Sequence, residues 1–149
     1  MYVLAREVDH AQQLIEPAVN ALRLEKPHSS QMADALVAMG DVLSQRNDVE
    51  HSFALYEEAM AIREKLWGAT SVRLARERYA LGMSLWQVLR LAQADKELNS
   101  AWKVMSAAIG EDHVSAALIE LQLGRLRVFV RSPSEGRPLI EHASSVILA

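Results

Sequence analysis

Glycine, alanine and large apolar residues recur along this chain at a constant interval of 42 residues. Gly40, Gly82 and Gly124 follow that interval, and a large apolar residue precedes each of them. Alanines also recur seven residues before and nineteen residues after each glycine, namely Ala33, Ala75 and Ala117, and Ala59, Ala101 and Ala143. Small residues that recur in this way mark places where helices touch closely. The interval therefore predicts a chain built from repeated helix pairs.

Apolar spacing assigns two helices to each repeat. The predicted helices span 31–46 and 49–66 in the first repeat, 72–90 and 92–109 in the second, and 113–130 and 134–148 in the third. Gly68 and Gly110 are expected to end second helices, and Pro133 or Ser134 to open the last one. Asp112 is expected to cap the helix that follows it. Gly136 stands where better helix formers are usual, which is typical of a degenerate or terminal repeat.

The segment before the first repeat is predicted to be helical over residues 2–24, as one long helix or two short ones. Its residues 14–18 resemble residues 55–59 at an offset of 41, so we interpret it as the second helix of a preceding repeat. Pro17 is expected to kink this helix or to start a new one. The predicted organisation is a single domain over 1–149, with the preceding helix at 1–26 and repeats at 31–68, 70–110 and 112–148.

These helix pairs resemble tetratricopeptide repeats. Residues 56–68 are very close to the second helix and loop of the kinesin-light-chain subtype, whose period is 42 residues rather than the usual 34, and residues 109–114 are similar to the loop that follows. The resemblance implies an all-α fold, a right-handed α-solenoid of antiparallel helix pairs with about three repeats and a preceding helix. It also implies binding to other proteins. The turn glycine usual between the two helices is replaced by Asn47, Leu89 and Arg131.

Composition and spacing argue against several other classes of function. The 149 residues carry 16 basic and 19 acidic side chains, a net charge of −3, which does not favour nucleic acid as a partner. There is no cysteine, the five histidines form no metal-like pair, and no glycine-rich phosphate loop occurs. No apolar run reaches the roughly 18 residues of a membrane span, and residues 1–7 carry charges where a signal peptide is apolar. We therefore expect a cytoplasmic protein that is not an enzyme, holds no cofactor or metal and contacts no membrane.

The resemblance puts the binding surface on the first helix of each pair, which lines the concave groove of a tetratricopeptide array. Matching positions from each glycine identifies the candidate partner-binding residues Asp34, Asp41, Gln45, Arg76, Tyr79, Met83, Trp86, Gln87, Leu121, Arg125 and Val128. Aromatic and arginine side chains are favoured at binding hot spots. The alternative is that Tyr79 and Trp86 are core residues wedged between helix pairs. Leu118 and Phe129 would add to an apolar patch that needs a cover, whether a partner, a second copy or a further helix.

The leading functional hypothesis is a module that binds a peptide or helix of a partner protein in its groove. Its charges predict a ligand with an acidic group near Arg76 or Arg125 and a basic group near Asp34 and Asp41. One alternative is a regulatory or structural segment packed on the catalytic or DNA-binding domain of a larger protein. Another is a scaffold that forms homo-oligomers through apolar ends.

Overall fold

The computed structural model describes residues 2–149, with side chains from residue 8 onward, and every regular element in that range is an α-helix. The described helices are α1 (Tyr2–Glu25), α2 (Ser30–Gln45), α3 (Val49–Trp67), α4 (Val72–Gln87), α5 (Leu91–Ile109), α6 (Val114–Val130) and α7 (Pro133–Leu148). The six helices of the three repeats begin and end within three residues of their predicted bounds. The all-α class and the succession of helix pairs are therefore confirmed.

Packing divides the chain into two compact units, Met1–Gly68 and Ala69–Ala149. The first unit holds α1, α2 and α3, and the second holds α4 to α7. Turns of two or three residues join α2 to α3, α4 to α5 and α6 to α7, and such short connections require antiparallel neighbours. The boundary falls at the end of the first predicted repeat, where Gly68 has φ +85, a conformation that favours glycine.

The segment before the first repeat is one helix, because α1 runs through Pro17 without a break. The alternative of two short helices is thus wrong. Met1 and the side chains of residues 2–7, on which the expectation about a signal peptide rests, lie outside the described residues. In the part of the chain that the structure describes, no helix combines the length and the apolar character needed to span a membrane.

The repeating glycines lie where a second helix crosses its first helix. A Cβ atom on Gly40 would lie 2.6 Å from the ring of Tyr56, and one on Gly82 or Gly124 would lie 2.8 or 2.9 Å from the side chains of Leu98 or Ile140. These distances are shorter than van der Waals contact, so only a residue without a side chain fits. Tyr56, Leu98 and Ile140 are themselves 42 residues apart. The three contacts are equivalent, as the repeat predicts.

Gly136 has a structural role, and its interpretation as a mark of degeneracy is wrong. A Cβ atom on Gly136 would collide with the carbonyl oxygen of Gly124 and would lie 2.6 Å from the backbone nitrogen of Val128. Both of these atoms belong to α6, so the backbones of α6 and α7 approach each other more closely than any side chain would allow. A glycine on each helix makes this crossing possible.

Two of the turns use residues other than glycine in the left-handed region. Asn47 has φ 63 and Leu89 has φ 60, so they adopt the conformation of the family glycine that they replace. Asparagine tolerates this conformation well, whereas for leucine it is strained by about 1 kcal/mol or more. Arg131 has φ −111, so the third turn follows a different path and leads directly to Pro133 at the start of α7.

The cap of α6 also differs from the expectation. The residue before the helix is His113, whose Nδ1 accepts a hydrogen bond from the backbone nitrogen of Ser115 at 3.0 Å. Asp112 is not the cap, because its carboxylate instead lies 3.4 Å from Nε2 of His142 on α7. The imidazole nitrogen takes the acceptor role that an aspartate or serine oxygen usually fills at this position.

Candidate binding surface

The eleven predicted partner-binding residues all lie on first helices, and they divide between the two units. Three lie on α2, namely Asp34, Asp41 and Gln45; five lie on α4, namely Arg76, Tyr79, Met83, Trp86 and Gln87; and three lie on α6, namely Leu121, Arg125 and Val128. Spacings of three, four and seven residues put most of each set on one face of its helix. The structure thus groups the α2 residues in the first unit and the other eight in the second.

Asp34 on α2 is engaged with a buried arginine of α3. Its carboxylate accepts a hydrogen bond from Arg63 at 2.8 Å, and the Arg63 side chain is only 8% exposed. The guanidinium of Arg63 also lies over the ring of Trp67, 5.6 Å from its centroid, a favourable cation–π distance. Because a buried charge is costly without a partner, Asp34 has a role in holding the α2/α3 pair together.

Asp41, one helical heptad further along α2, is engaged with Tyr56 of α3. The tyrosine hydroxyl donates a hydrogen bond to the Asp41 carboxylate at 2.6 Å. Burial of the ring raises the pKa of Tyr56 to about 12, and the neighbouring carboxylate adds to this shift. Gln45 is exposed. The two α2 carboxylates are therefore already bound within the first unit.

The sequence analysis missed Arg63, although the repeat contains a signal for it. The equivalent positions in α5 and α7 are Met105 and Ile147, both apolar. A charged residue at a position that is otherwise apolar and buried needs a partner on the facing helix. In this chain that partner is Asp34.

The α4 face mixes exposed polar residues with half-buried apolar ones. Arg76 and Gln87 are exposed, whereas Tyr79, Met83 and Trp86 are half-buried. Tyr79 packs against a cluster formed by α4, α5 and α6, whose buried members are Ala75, Ala101, Met105, Ala116 and Ile119. The two interpretations of Tyr79 therefore both hold in part, since one side of the residue supports the core and the other faces solvent. Trp86 is half-buried in the same way.

The α6 face is more apolar and more exposed. Leu121 and Val128 are half-buried, while Arg125 is exposed and donates a hydrogen bond to Gln122 on its own helix at 3.3 Å. Leu118 and Phe129 extend this face and are 46% and 69% exposed. Large apolar side chains that remain in water in this way are typical of interaction surfaces. The apolar patch that the sequence predicted on the third repeat is thus present.

Ion pairs between helices of the second unit involve other residues than these. Arg78 on α4 binds Glu97 on α5 at 2.9 Å, and Arg127 on α6 binds Asp95 on α5 at the same distance. His142 on α7 lies 2.6 Å from Glu120 on α6. That hydrogen bond, together with the charge of Glu120 and the weaker contact with Asp112, raises the pKa of His142. These contacts fasten the helices while Arg76 and Arg125 stay exposed.

A concavity of about 560 Å³, which the sequence analysis did not predict, lies in the first unit among α1, α2 and α3. Its apolar floor includes Val19 and Met39, both buried. Its charged rim residues bind one another, with Arg23 2.8 Å from Glu58 and His51 2.8 Å from Asp48. The hydrogen bond with His51 lowers the pKa of Asp48. In the described part of the chain, no three histidine, aspartate or glutamate side chains group as metal ligands would.

Comparison with known proteins gives a structural likeness without a sequence match. Neither a protein-family model nor a curated protein sequence matches this chain. Among solved structures it is similar to BtubC (BKLC) from P. vanneervenii, a kinesin light chain-like protein of the tetratricopeptide type, with a TM-score of 0.74 at 17% identity. The likeness covers 94% of this chain and 56% of that protein, so this chain spans little more than half of its length. It establishes a tetratricopeptide-like helical fold.

Proposed function

We propose that this chain is a protein-interaction module whose partner contacts the exposed faces of α4 and α6 in the second unit. The observation that carries the proposal is the pairing of exposed apolar side chains, above all Phe129 at 69%, with the exposed cations Arg76 and Arg125. Apolar anchors beside arginine are the usual composition of binding hot spots. A carboxylate on the ligand can form bidentate hydrogen bonds with a guanidinium. The ligand is therefore a peptide or helix with apolar anchors and at least one acidic group.

The α2 carboxylates receive a smaller part in this proposal. A basic ligand group that approached Asp34 or Asp41 would compete with Arg63 and Tyr56, which already hold them at 2.8 and 2.6 Å. We therefore assign the basic end of the ligand, if it has one, a weak contribution. The proposal keeps the kinesin-light-chain subtype of the 42-residue repeat, binding without catalysis or cofactor, and a cytoplasmic location.

The proposal is tested by comparing the proteins captured from a lysate by the unmodified chain and by a Trp86→Ala, Arg76→Ala double variant. Lys103→Ala, an exposed change on the second helix α5, is the matched control. A partner should be retained by the control and lost with the double variant. For a purified partner, Trp86→Ala should weaken binding by roughly 2 kcal/mol or about 30-fold.

Because Trp86 is half-buried, its removal could also loosen the fold. Phe129→Ala provides a second variant that cannot act in this way, since most of the ring is in solvent. Circular dichroism checks that each variant is helical. If both variants are folded and bind the partner as tightly as the unmodified chain, the partner uses another surface and the proposal is wrong.

Self-association is the second candidate, and the same apolar face favours it. Leu118 and Phe129 on two copies would cover each other and leave the water. Sedimentation over a range of concentrations distinguishes the two candidates. A dimer that Phe129→Ser dissociates would support self-association, whereas a monomer at high concentration would exclude it.

A further inference from the structure

The helix α1 carries the same pattern by which the other second helices hold their first helices. In α3, α5 and α7 a small residue is followed four positions later by a large apolar residue and three positions after that by alanine. The three sets are Ser52, Tyr56 and Ala59; Ala94, Leu98 and Ala101; and Gly136, Ile140 and Ala143. The corresponding set in α1 is Ala11, Ile15 and Ala18. By sequence, α1 is therefore a second helix.

The structure covers this pattern in three helices and leaves it open in α1. Ala59, Ala101 and Ala143 have no exposed surface, because α2, α4 and α6 lie over them. Ala18, the equivalent alanine of α1, is exposed, and Leu14 beside it is 64% exposed. The buried Val19, which lies about 100° around the helix from Ala18, is on the side of α1 that lines the concavity with α2 and α3.

We propose that this uncovered side of α1, the docking face formed by Ala11, Leu14, Ile15, Ala18 and Leu22, binds an amphipathic helix of another polypeptide. The helix would lie across α1 as α2, α4 and α6 lie across α3, α5 and α7. Large apolar side chains and a central alanine allow a close helix crossing once water is displaced. This surface lies in the first unit and is separate from the surface of the proposed function.

The three existing pairs specify the chemistry of the bound helix. Gly40, Gly82 and Gly124 each face the large apolar residue of the pattern so closely that a side chain would collide with it. The bound helix therefore has glycine opposite Ile15. Leu22 occupies the place that Arg63 has in α3, where Arg63 binds Asp34. The bound helix therefore has an apolar residue at the Asp34 position, as α6 does with Leu118.

A second copy of this chain has no suitable helix to offer. In the described residues the helices with this glycine are α2, α4 and α6, and each already packs on its own second helix. Releasing one of them would expose alanines that are now fully buried. The partner is therefore a different polypeptide that carries a helix of the first-helix type.

The probe for this docking face is a labelled synthetic peptide with the sequence of residues 30–45 and the change Asp34→Leu. Fluorescence anisotropy with the full chain should detect saturable binding. The same peptide with Gly40→Leu should bind at least about tenfold more weakly, because overpacking costs on the order of 1–3 kcal/mol. The peptide with the original Asp34 should also bind more weakly, since its carboxylate would face Leu22 without Arg63.

Protein variants locate the binding to α1. Ala18→Arg should abolish binding without unfolding the chain, because Ala18 is exposed. Gln13→Arg, an exposed change on another side of α1, should leave binding unchanged, and so should Trp86→Ala. The last result separates this surface from that of the proposed function.

Three outcomes would overturn the proposal. The peptide fails to bind even at millimolar concentration, or it binds equally well to the folded Ala18→Arg variant, or the glycine and leucine peptides bind alike. Dimerisation of the chain that Ala18→Arg prevents would also overturn it, because the docking face would then be occupied by a second copy.

Discussion

The pairs α2/α3 and α6/α7 occupy equivalent places in the repeat, but different contacts hold them together. In α2/α3, the carboxylates of Asp34 and Asp41 bind Arg63 and Tyr56 across the pair. In α6/α7, two glycines bring the backbones together and Glu120 binds His142. The first pair thus uses predicted surface positions of its first helix to maintain the fold, whereas the second pair uses buried ones.

This difference teaches that a repeat position does not by itself define a binding residue. Leu118 and Asp34 are equivalent in the repeat, yet Asp34 is held by a buried arginine and Leu118 remains in solvent. What decides the outcome is the residue that the second helix offers, Arg63 in α3 and Ile147 in α7. Exposed groups stay available to a ligand only where the facing residue needs no partner.

The largest effect is expected at the glycine crossing of α6/α7. Gly136→Ala should destabilise the chain by about 1–3 kcal/mol, because the added methyl group would collide with the backbone of α6. Helix propensity alone would stabilise the variant by about 1 kcal/mol, so the sign of the effect is diagnostic. Urea unfolding measures it, with the exposed Arg137→Ala as control. A variant more stable than the unmodified chain would contradict the close crossing.

The next effect tests the ion pair of α2/α3. Asp34→Ala leaves the buried guanidinium of Arg63 without this carboxylate and should cost about 1–2 kcal/mol, less than a fully buried pair because Asp34 is exposed. Leu118→Ala at the equivalent repeat position is the control and should cost less. Adding Arg63→Met to Asp34→Ala should recover stability, as a thermal-unfolding double-mutant cycle would show. Equal costs for Asp34→Ala and Leu118→Ala would remove the distinction between the two pairs.

A smaller effect concerns the pH dependence of α6/α7. Because the folded protein raises the pKa of His142, the contact with Glu120 stabilises the fold fully below the unfolded pKa of about 6.5 and is lost as pH rises through the folded value. The charged groups that face His142 are Glu120 and Asp112. The melting temperatures of the unmodified chain and of His142→Gln should therefore differ most near pH 5.5 and converge towards pH 9. A gap that widens with pH would show that the neutral imidazole makes the contact.

The smallest effect on stability is expected at the exposed cation of α4. Arg76→Ala should change the free energy of unfolding by no more than about 0.5 kcal/mol, as is usual for exposed positions. It should nevertheless weaken partner binding if Arg76 meets a ligand carboxylate. Paired unfolding and binding measurements check both statements. A loss of stability as large as that of Asp34→Ala would mean that Arg76, too, serves the fold.

The sequence by itself determined the helix pairs and their succession, because close helix crossings require small residues at regular places. Gly40, Gly82 and Gly124 marked these crossings, and the apolar spacing between them located the helices within three residues. The same regularity located the first-helix faces. It also identified α1 as a second helix, from five residues that match α3.

The tertiary structure alone decided which surface residues are engaged and which are exposed. Asp34 and Arg63 are 29 residues apart in the chain, and their pairing depends on how α2 and α3 cross. Gly136 resembled a defect in a helix until the backbone of α6 was found against it. Ala18 has the same sequence context as Ala59, and only the absence of a covering helix among the described residues distinguishes them. Local periodicity carries no information about a partner on another helix, since burial and pairing depend on contacts between distant segments.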